Sequence, residues 1–337
     1  MKAVKRICAF LIGLVLFVAG LVKLMDPVGA GLVVEEYFIF LHLGFLMPIA
    51  KAVGVGMALL ETLLGAALLS GVWPVVVGFV SLAVLAGFTV LTFVLWIVGP
   101  SMDCGCFGEA VHLTHFQSLM KNVVLLLLWA VAFIPMKSVR RPKAVKYVSF
   151  GIAAVSVVVF ALFGLKNIPP IDFTAFRPGV TLQQAESAPG PDSPLLSICD
   201  SDGDYFDELL ASGPVLVVSA YDYDRLGQED LSALGDWMSS IDGVPVYLVT
   251  GGSEVPVGAY SSDRRTLMTL NRSNGGVTLL SDGLVIAKWS AARRPASDRV
   301  SELLALDPTE AMIKQNTPKR LKLQGFLLYV TAVLLLL

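Results

Sequence analysis

Five runs of apolar residues, each long enough to cross a bilayer, crowd the first half of this chain. A helix needs about 20 residues to traverse the hydrocarbon core. Lipid tolerates only backbone whose polar groups are paired within the spanning structure. The runs are residues 7–25, 52–73, 75–98, 117–136 and 147–165, and they predict five transmembrane helices. A further stretch, 325–337, is apolar but too short to cross alone, and it reads as a partial span, an interfacial anchor or a truncated segment. The first run reads as a span rather than a cleaved signal peptide. Val18-Ala19-Gly20 offers small residues, but no polar region precedes a cut and the apolar residues continue.

Charge divides the chain in the same place. Asp26, Glu35, Glu36, Glu61, Asp103 and Glu109 are the only acids before residue 166. Segment 166–324 instead carries 21 Asp and Glu against 14 Lys and Arg, a net charge of −7. The chain is therefore built for two solvents. An overall charge of −2 gives no sign of a nucleic-acid partner.

Loop charges orient the spans. Lys2, Lys5 and Arg6 precede the first, and Lys137, Arg140, Arg141, Lys143 and Lys146 lie between the fourth and fifth. Loop 99–116 has no Lys or Arg. The positive-inside rule then puts the N-terminus in the cytoplasm, and loop 99–116 and everything after residue 166 outside. Lys319, Arg320 and Lys322 fall on the wrong side of that rule, which argues against a true sixth span.

After a Pro- and Gly-rich tether over 166–192, the polar part shows a compact pattern. Strands are expected at 195–199, 215–220, 244–249, 276–281 and 284–289, and helices at 205–212, 228–241, 263–270 and 297–305. In the second helix Leu231, Leu234, Trp237, Met238 and Ile241 share one face, and Ser281-Asp282-Gly283 marks a hairpin. The order β-α-β-α-β-α-β-β-α resembles the thioredoxin fold. Where thioredoxins carry CxxC, this chain reads Tyr221-Asp222-Tyr223-Asp224-Arg225, and Gly275-Gly276 stands where their cis-proline would be. The domain resembles a degenerate thioredoxin-like module, suited to binding or positioning.

The chemistry therefore has to be sought elsewhere, and Asp103-Cys104-Gly105-Cys106-Phe107-Gly108 in the outer loop is the sharpest motif. Thiol exchange needs two sulfurs in mutual reach, and Gly105 lets the backbone bend tightly between them. An oxidising compartment permits the disulfide. Exchange is favoured over a static disulfide, an inert thiol pair, or a metal site completed by His112 and His115 in an uncommon C-x-C-x5-H-x2-H spacing. Glu61 is the other singular residue, an acid in mid-span that needs a partner or a cavity. Lys23 and Lys51 are candidate partners nearer the outer surface. Glu61 either lines a proton or quinone pocket below the cysteines or makes a buried interhelical hydrogen bond. Cys8 reads as lipid- or helix-facing filler, and Cys199 as a structural thiol in a strand, or a resolving one should the domain dock over the loop.

With this motif, Gly20-Leu21-Val22-Lys23-Leu24, Asp26-Pro27, Leu60-Glu61 and Gly65, residues 1–136 resemble the DoxX/MauE group of redox-associated membrane proteins. The whole arrangement resembles one seen in Bacteroidetes. The resemblance implies a four-helix transmembrane bundle over 1–136, Cys104 and Cys106 as the exchanging pair, and a role in disulfide formation or maturation of a partner protein. The expected organisation continues with a cytoplasmic basic loop and fifth transmembrane helix over 137–168, an extracytoplasmic thioredoxin-like domain lacking CxxC over 169–313, and the apolar segment 314–337. The expected fold class is thus an all-α membrane bundle with an additional helix, followed by an α/β thioredoxin-like soluble domain. The expected setting is a bacterial inner membrane, with the soluble domain periplasmic. Expected partners are the lipid bilayer and an extracytoplasmic protein substrate or redox partner, with a quinone to consider as electron acceptor. The competing readings are a non-enzymatic scaffold or chaperone and a metal-binding Cys/His loop.

Overall fold

The computed structural model describes residues 2–100, 102–135, 142–183, 193–252 and 255–336. Lys137, Arg140 and Arg141 of the basic loop, and Pro189 and Pro191 of the tether, lie outside the described residues. The chain divides into two compact units, Met1–Gly164 with Gln324–Leu337, and Leu165–Leu323.

The first unit is helical. Its elements are α1 (Lys2–Met25), α2 (Pro27–Phe40), α3 (Ala50–Ser70), α4 (Pro74–Val98), the short strand β1 (Cys106–Glu109), α5 (His115–Phe133) and α6 (Ala144–Lys166). Among the described residues, five helices are long and apolar enough to cross a membrane, and they coincide with the five expected runs. Large apolar side chains such as Ile7, Phe79, Ile97 and Val155 stay exposed on them, as a lipid-facing surface requires. Sequence reasoning missed α2. Its signal is Asp26-Pro27: the Asp26 carboxylate accepts from Gly29 N–H at 2.9 Å, and proline opens the helix.

Packing in this unit follows from small residues. A Cβ on Gly65 would lie 2.4 Å from the Phe17 backbone nitrogen, and one on Gly20 would lie 2.3 Å from Thr62 Oγ1. Glycine thus lets α1 and α3 approach backbone to backbone, where lipid offers no hydrophobic drive and van der Waals contact decides association. Cys8, Ile12 and Leu16 of α1 pack there against Leu64 and Leu68 of α3. Trp129 Nε1 of α5 donates to the Gly78 carbonyl of α4 at 2.8 Å. Gly65→Ala is expected to force α1 and α3 apart and cost about 1–3 kcal/mol. Thermal unfolding in detergent checks this against Gly56→Ala, where an added Cβ meets nothing within 4 Å.

The second unit is a mixed α/β fold. Its elements are α7 (Glu208–Ala211), β2 (Pro214–Ala220), α8 (Gln228–Ser239), β3 (Val246–Thr250), β4 (Tyr260–Ser261), α9 (Arg264–Leu270), β5 (Gly276–Ser281), β6 (Leu284–Trp289) and α10 (Ser297–Leu304). The sheet order is β4-β3-β2-β5-β6. Strand β3 runs parallel to β2 and β4, while β5 runs antiparallel to β2 and β6. Both central residues of the β5–β6 turn, Asp282 and Gly283, take the positive φ values (49° and 76°) that a tight hairpin needs. Leu216, Val218, Leu279 and Ile286 of the sheet pack against Leu234 of α8 and Val300 and Leu303 of α10.

One expectation needs correction. Residues 195–199 form no strand. Cys199 makes only isolated bridges to Tyr205 and Ser261, because the Asp207 carboxylate captures Ile198 N–H at 2.8 Å and diverts it from a ladder. The terminal apolar run lies at the end of one helix, α11 (Pro308–Leu336), which carries Pro318 inside it.

Candidate functional site

The cysteine loop is held from several sides. Tyr37 Oη on α2 donates to the Cys104 carbonyl at 2.6 Å, and burial pushes the Tyr37 phenol up, so it remains a donor. Gly105 has a φ of +57°, and a Cβ there would lie 2.3 Å from Val33 Cγ1. Glycine is therefore required twice at this position, for the left-handed backbone and for the seat against α2. Lys121 of α5 caps the loop, with its ammonium 5.1 Å from the centre of the Phe107 ring. Gly105→Ala is expected to cost about 1–3 kcal/mol through strain and overpacking. It should also speed alkylation of the otherwise buried Cys104 by an iodoacetamide probe, followed by mass spectrometry.

Both loop cysteines are thiols here; Cys104 is buried and Cys106 half-buried. Cys104 Sγ lies 3.0 Å from His115 Nδ1. His115 Nε2 lies 2.9 Å from the Pro100 carbonyl oxygen, which can only accept. That contact fixes the proton on Nε2, leaving Nδ1 free to accept the Cys104 S–H. Burial pushes the Cys104 thiol up, and the neighbouring Cys106 and Asp103 push the same way, while the Ser118 hydroxyl and Lys121 act against them. Cys104 is thus held as a thiol with a proton acceptor already in contact.

Sequence reasoning placed His115 only in a metal set and began the fourth helix at residue 117. The local signal was present in Thr114 and Gln117. The Thr114 hydroxyl accepts from Gln117 N–H and the Gln117 side chain accepts from Thr114 N–H, a capping box that starts the helix at His115. His112 points to a different partner, with its Nδ1 2.7 Å from Asp103 Oδ2 in an exposed pair. Among the described residues no three His, Cys, Asp or Glu side chains gather as a metal site, so the four ligands that the spacing collects in sequence are not collected in space.

Glu61 has its partner. Lys23 Nζ donates to both carboxylate oxygens, at 2.7 and 2.9 Å, with the two side chains 2% and 14% exposed. The long lysine stem lets a residue in the last turn of α1 reach an acid in the middle of α3. The ion pair, Cys104 and Cys106 line one cavity, an open cleft. Leu16, Leu85, Phe88 and Leu125 supply apolar wall. Asn122 and Thr92 also line it, joined by a 3.2 Å hydrogen bond between α5 and α4. The structure therefore gathers all three sequence-nominated residues, Cys104, Cys106 and Glu61, around a single space.

The other two cysteines lie elsewhere. Cys8 is buried in the apolar core cluster of the helical unit. Cys199 is fixed by backbone hydrogen bonds with Ser261, at 3.0 and 2.7 Å. In the loop after β2, Asp222 is clamped by Arg264, with Nε at 2.7 Å and a second guanidinium nitrogen at 3.2 Å. Asn274 closes the same loop through two hydrogen bonds with the Asp222 backbone.

Residues 1–135 match the family model for Methylamine utilisation protein MauE, so the match takes in α1 to α5 and the cysteine loop. Comparison with curated proteins gives no match to the chain.

Proposed function

With a MauE-type membrane part as the starting point, we propose that this protein is a membrane thiol-disulfide exchange or maturation protein, working through Cys104 and Cys106. The observation that carries the reading is the Cys104–His115 contact beside a second thiol at the wall of a membrane cavity. In the oxidised protein Cys104 and Cys106 form a disulfide. A partner thiolate attacks one sulfur and gives a mixed disulfide, and the other loop cysteine leaves. A second partner thiolate then breaks the mixed disulfide, so the partner gains a disulfide and the loop becomes a dithiol. His115 gives up or takes the Cys104 proton in these steps.

Restoring the loop disulfide requires an acceptor of two electrons and two protons. This reading favours a quinone as that acceptor, supported by the apolar walls of the cleft and a few polar groups, Lys23, Lys121 and Asn122 among them, that could hold carbonyl oxygens. When bound it would supply that two-electron acceptance. Glu61 and Lys23 would orient polar atoms there, and Glu61 is the candidate group to hold a proton.

The helical unit is read as a four-helix bundle with one further span, in a bacterial inner membrane. The N-terminus is cytoplasmic, and the cysteine loop and second unit are periplasmic. The second unit is read as a thioredoxin-like module, supported by the central order β3-β2-β5-β6 with β5 antiparallel. Its clamped Asp222 loop suits holding an extracytoplasmic partner protein rather than reacting with it. That clamp also supports the alternative reading of a non-enzymatic scaffold.

Maleimide gel-shift labelling in cells separates the two. Redox exchange requires Cys104 and Cys106 to be labelled after reductant treatment and protected after oxidation, from the periplasmic side. A pair that keeps one redox state under all conditions leaves the scaffold.

A further inference from the structure

The two loop cysteines stand in unequal surroundings. Cys104 is 5% exposed, while Cys106 is half-buried. An incoming thiolate needs a free approach to the sulfur it attacks, so access selects between the two. Position 104 is closed from several directions. Its carbonyl is tied to Tyr37 Oη of α2, and its sulfur rests against His115 Nδ1 of α5. Gly105, which follows it, is seated against Val33. Cys106 instead opens β1, whose four residues are all half-buried. Helix α5 brings a second polar group to Cys104. Ser118 lies one turn beyond His115, and its hydroxyl is buried with no hydrogen-bond partner among the described residues. That hydroxyl lies beside Cys104 and pulls its thiol down, against the effect of burial. A buried hydroxyl without a partner is costly unless some state of the protein supplies one. A thiol already directed at Nδ1 is a weak acceptor, and a thiolate at the same place is a strong one.

We propose that the two cysteines have fixed roles: Cys106 carries the mixed disulfide with the partner, and Cys104 is the buried resolving sulfur, served by His115 as proton acceptor and Ser118 as hydrogen-bond donor. This assignment deepens the exchange reading above and rests on it. In the donating direction a partner thiolate attacks Cys106 Sγ of the loop disulfide. The partner–Cys106 bond forms, the loop S–S bond breaks, and its electron pair stays on Cys104. The Ser118 hydroxyl holds that thiolate, which then takes up the proton given up by the partner thiol, through His115 Nδ1. In the opposite direction the Cys104 thiol gives its proton to Nδ1, attacks Cys106 Sγ of a mixed disulfide and expels the bound thiolate. Two electrons pass between loop and partner, and a disulfide already named is the oxidant each way: the loop's own in the first, the partner's in the second. Burial alone would make Cys104 a poor leaving group and a slow attacker, since it raises the thiol. The two α5 groups offset both handicaps at a place that the neighbouring Cys106 reaches without diffusion.

The test treats the full reduced chain, purified in detergent, with glutathione disulfide and locates adducts by peptide mass spectrometry. Cys104→Ser should accumulate a glutathione adduct on Cys106, formed about tenfold or more faster than any adduct on Cys104 in Cys106→Ser. Cys104→Ala takes the place of the serine variant if that one fails to fold. In the wild type the Cys106 adduct should be transient and give way to the loop disulfide. Ser118→Ala should slow that resolution about tenfold or more, the loss expected when a hydrogen bond to a charged group is removed. It should do so without slowing adduct formation, a split that general loosening of the fold would not give. Comparable trapping by the two cysteine variants, or faster trapping at Cys104, overturns the assignment and leaves the exchange reading standing. A wild-type resolution rate in Ser118→Ala overturns the role of Ser118. No adduct in either variant, with no loop disulfide in the wild type, overturns the assignment and the exchange reading together.

Discussion

Cys104→Ser and Cys106→Ser are each expected to abolish turnover in a coupled assay that follows disulfide formation in a reduced peptide. Removing either sulfur leaves no intramolecular disulfide to donate. His115→Ala is expected to keep both thiols and slow exchange by about 10²–10⁴-fold, the range for loss of a positioned acid-base group. The pH profile gives the distinguishing signature. Burial holds Cys104 above the ordinary thiol range, so without the imidazole it must ionise unaided and the rate should climb steeply with pH. In the wild type, transfer to Nδ1 should flatten that climb. A structural role for His115 would lower the rate equally at every pH. Stopped-flow oxidation of the reduced loop by a disulfide oxidant, in which Cys104 must ionise before it attacks, monitored by tryptophan fluorescence or alkylation, reads both.

The second large effect concerns the ion pair. Lys23→Met strands the Glu61 carboxylate, which is 2% exposed and loses the partner of both its oxygens. Breaking a buried pair from one side costs about 3–5 kcal/mol, whereas replacing both partners by apolar groups can be close to neutral. Thermal unfolding of the detergent-solubilised protein should therefore fall sharply for Lys23→Met and recover in Lys23→Met/Glu61→Leu. If the double variant also loses the proposed exchange activity, the pair serves the cavity; if activity returns with stability, it serves only packing. A Lys23→Met protein as stable as wild type would show that Glu61 does not depend on Lys23.

The legible parts of this chain were those with local causes. The five long apolar helices follow from hydrophobic runs that have no other stable solution in lipid. The β5–β6 hairpin follows from Asp282-Gly283, and α8 from its apolar stripe. Less legible was anything set by competition between local signals. Segment 195–199 has strand composition, yet the Asp207 side chain takes Ile198 N–H, so composition misled. Helix α2 is only 14 residues long and was overlooked between stronger signals, although Asp26-Pro27 marks its start.

For the cysteine loop, the sequence by itself determined the reactive residue types, their spacing, and the need for glycine between them. It also determined that Glu61 required a partner, because an acid inside the apolar run 52–73 has none nearby in the chain. Tertiary structure alone chose that partner, and it chose Lys23 because Gly20 and Gly65 let α1 and α3 close to backbone contact. It alone turned His115 from a candidate metal ligand into the hydrogen-bond partner of Cys104, by engaging Nε2 with the Pro100 carbonyl. The ion pair depends on the distance between two helices whose paired residues lie 38 positions apart in the chain, and close packing, rather than any local propensity, sets that distance.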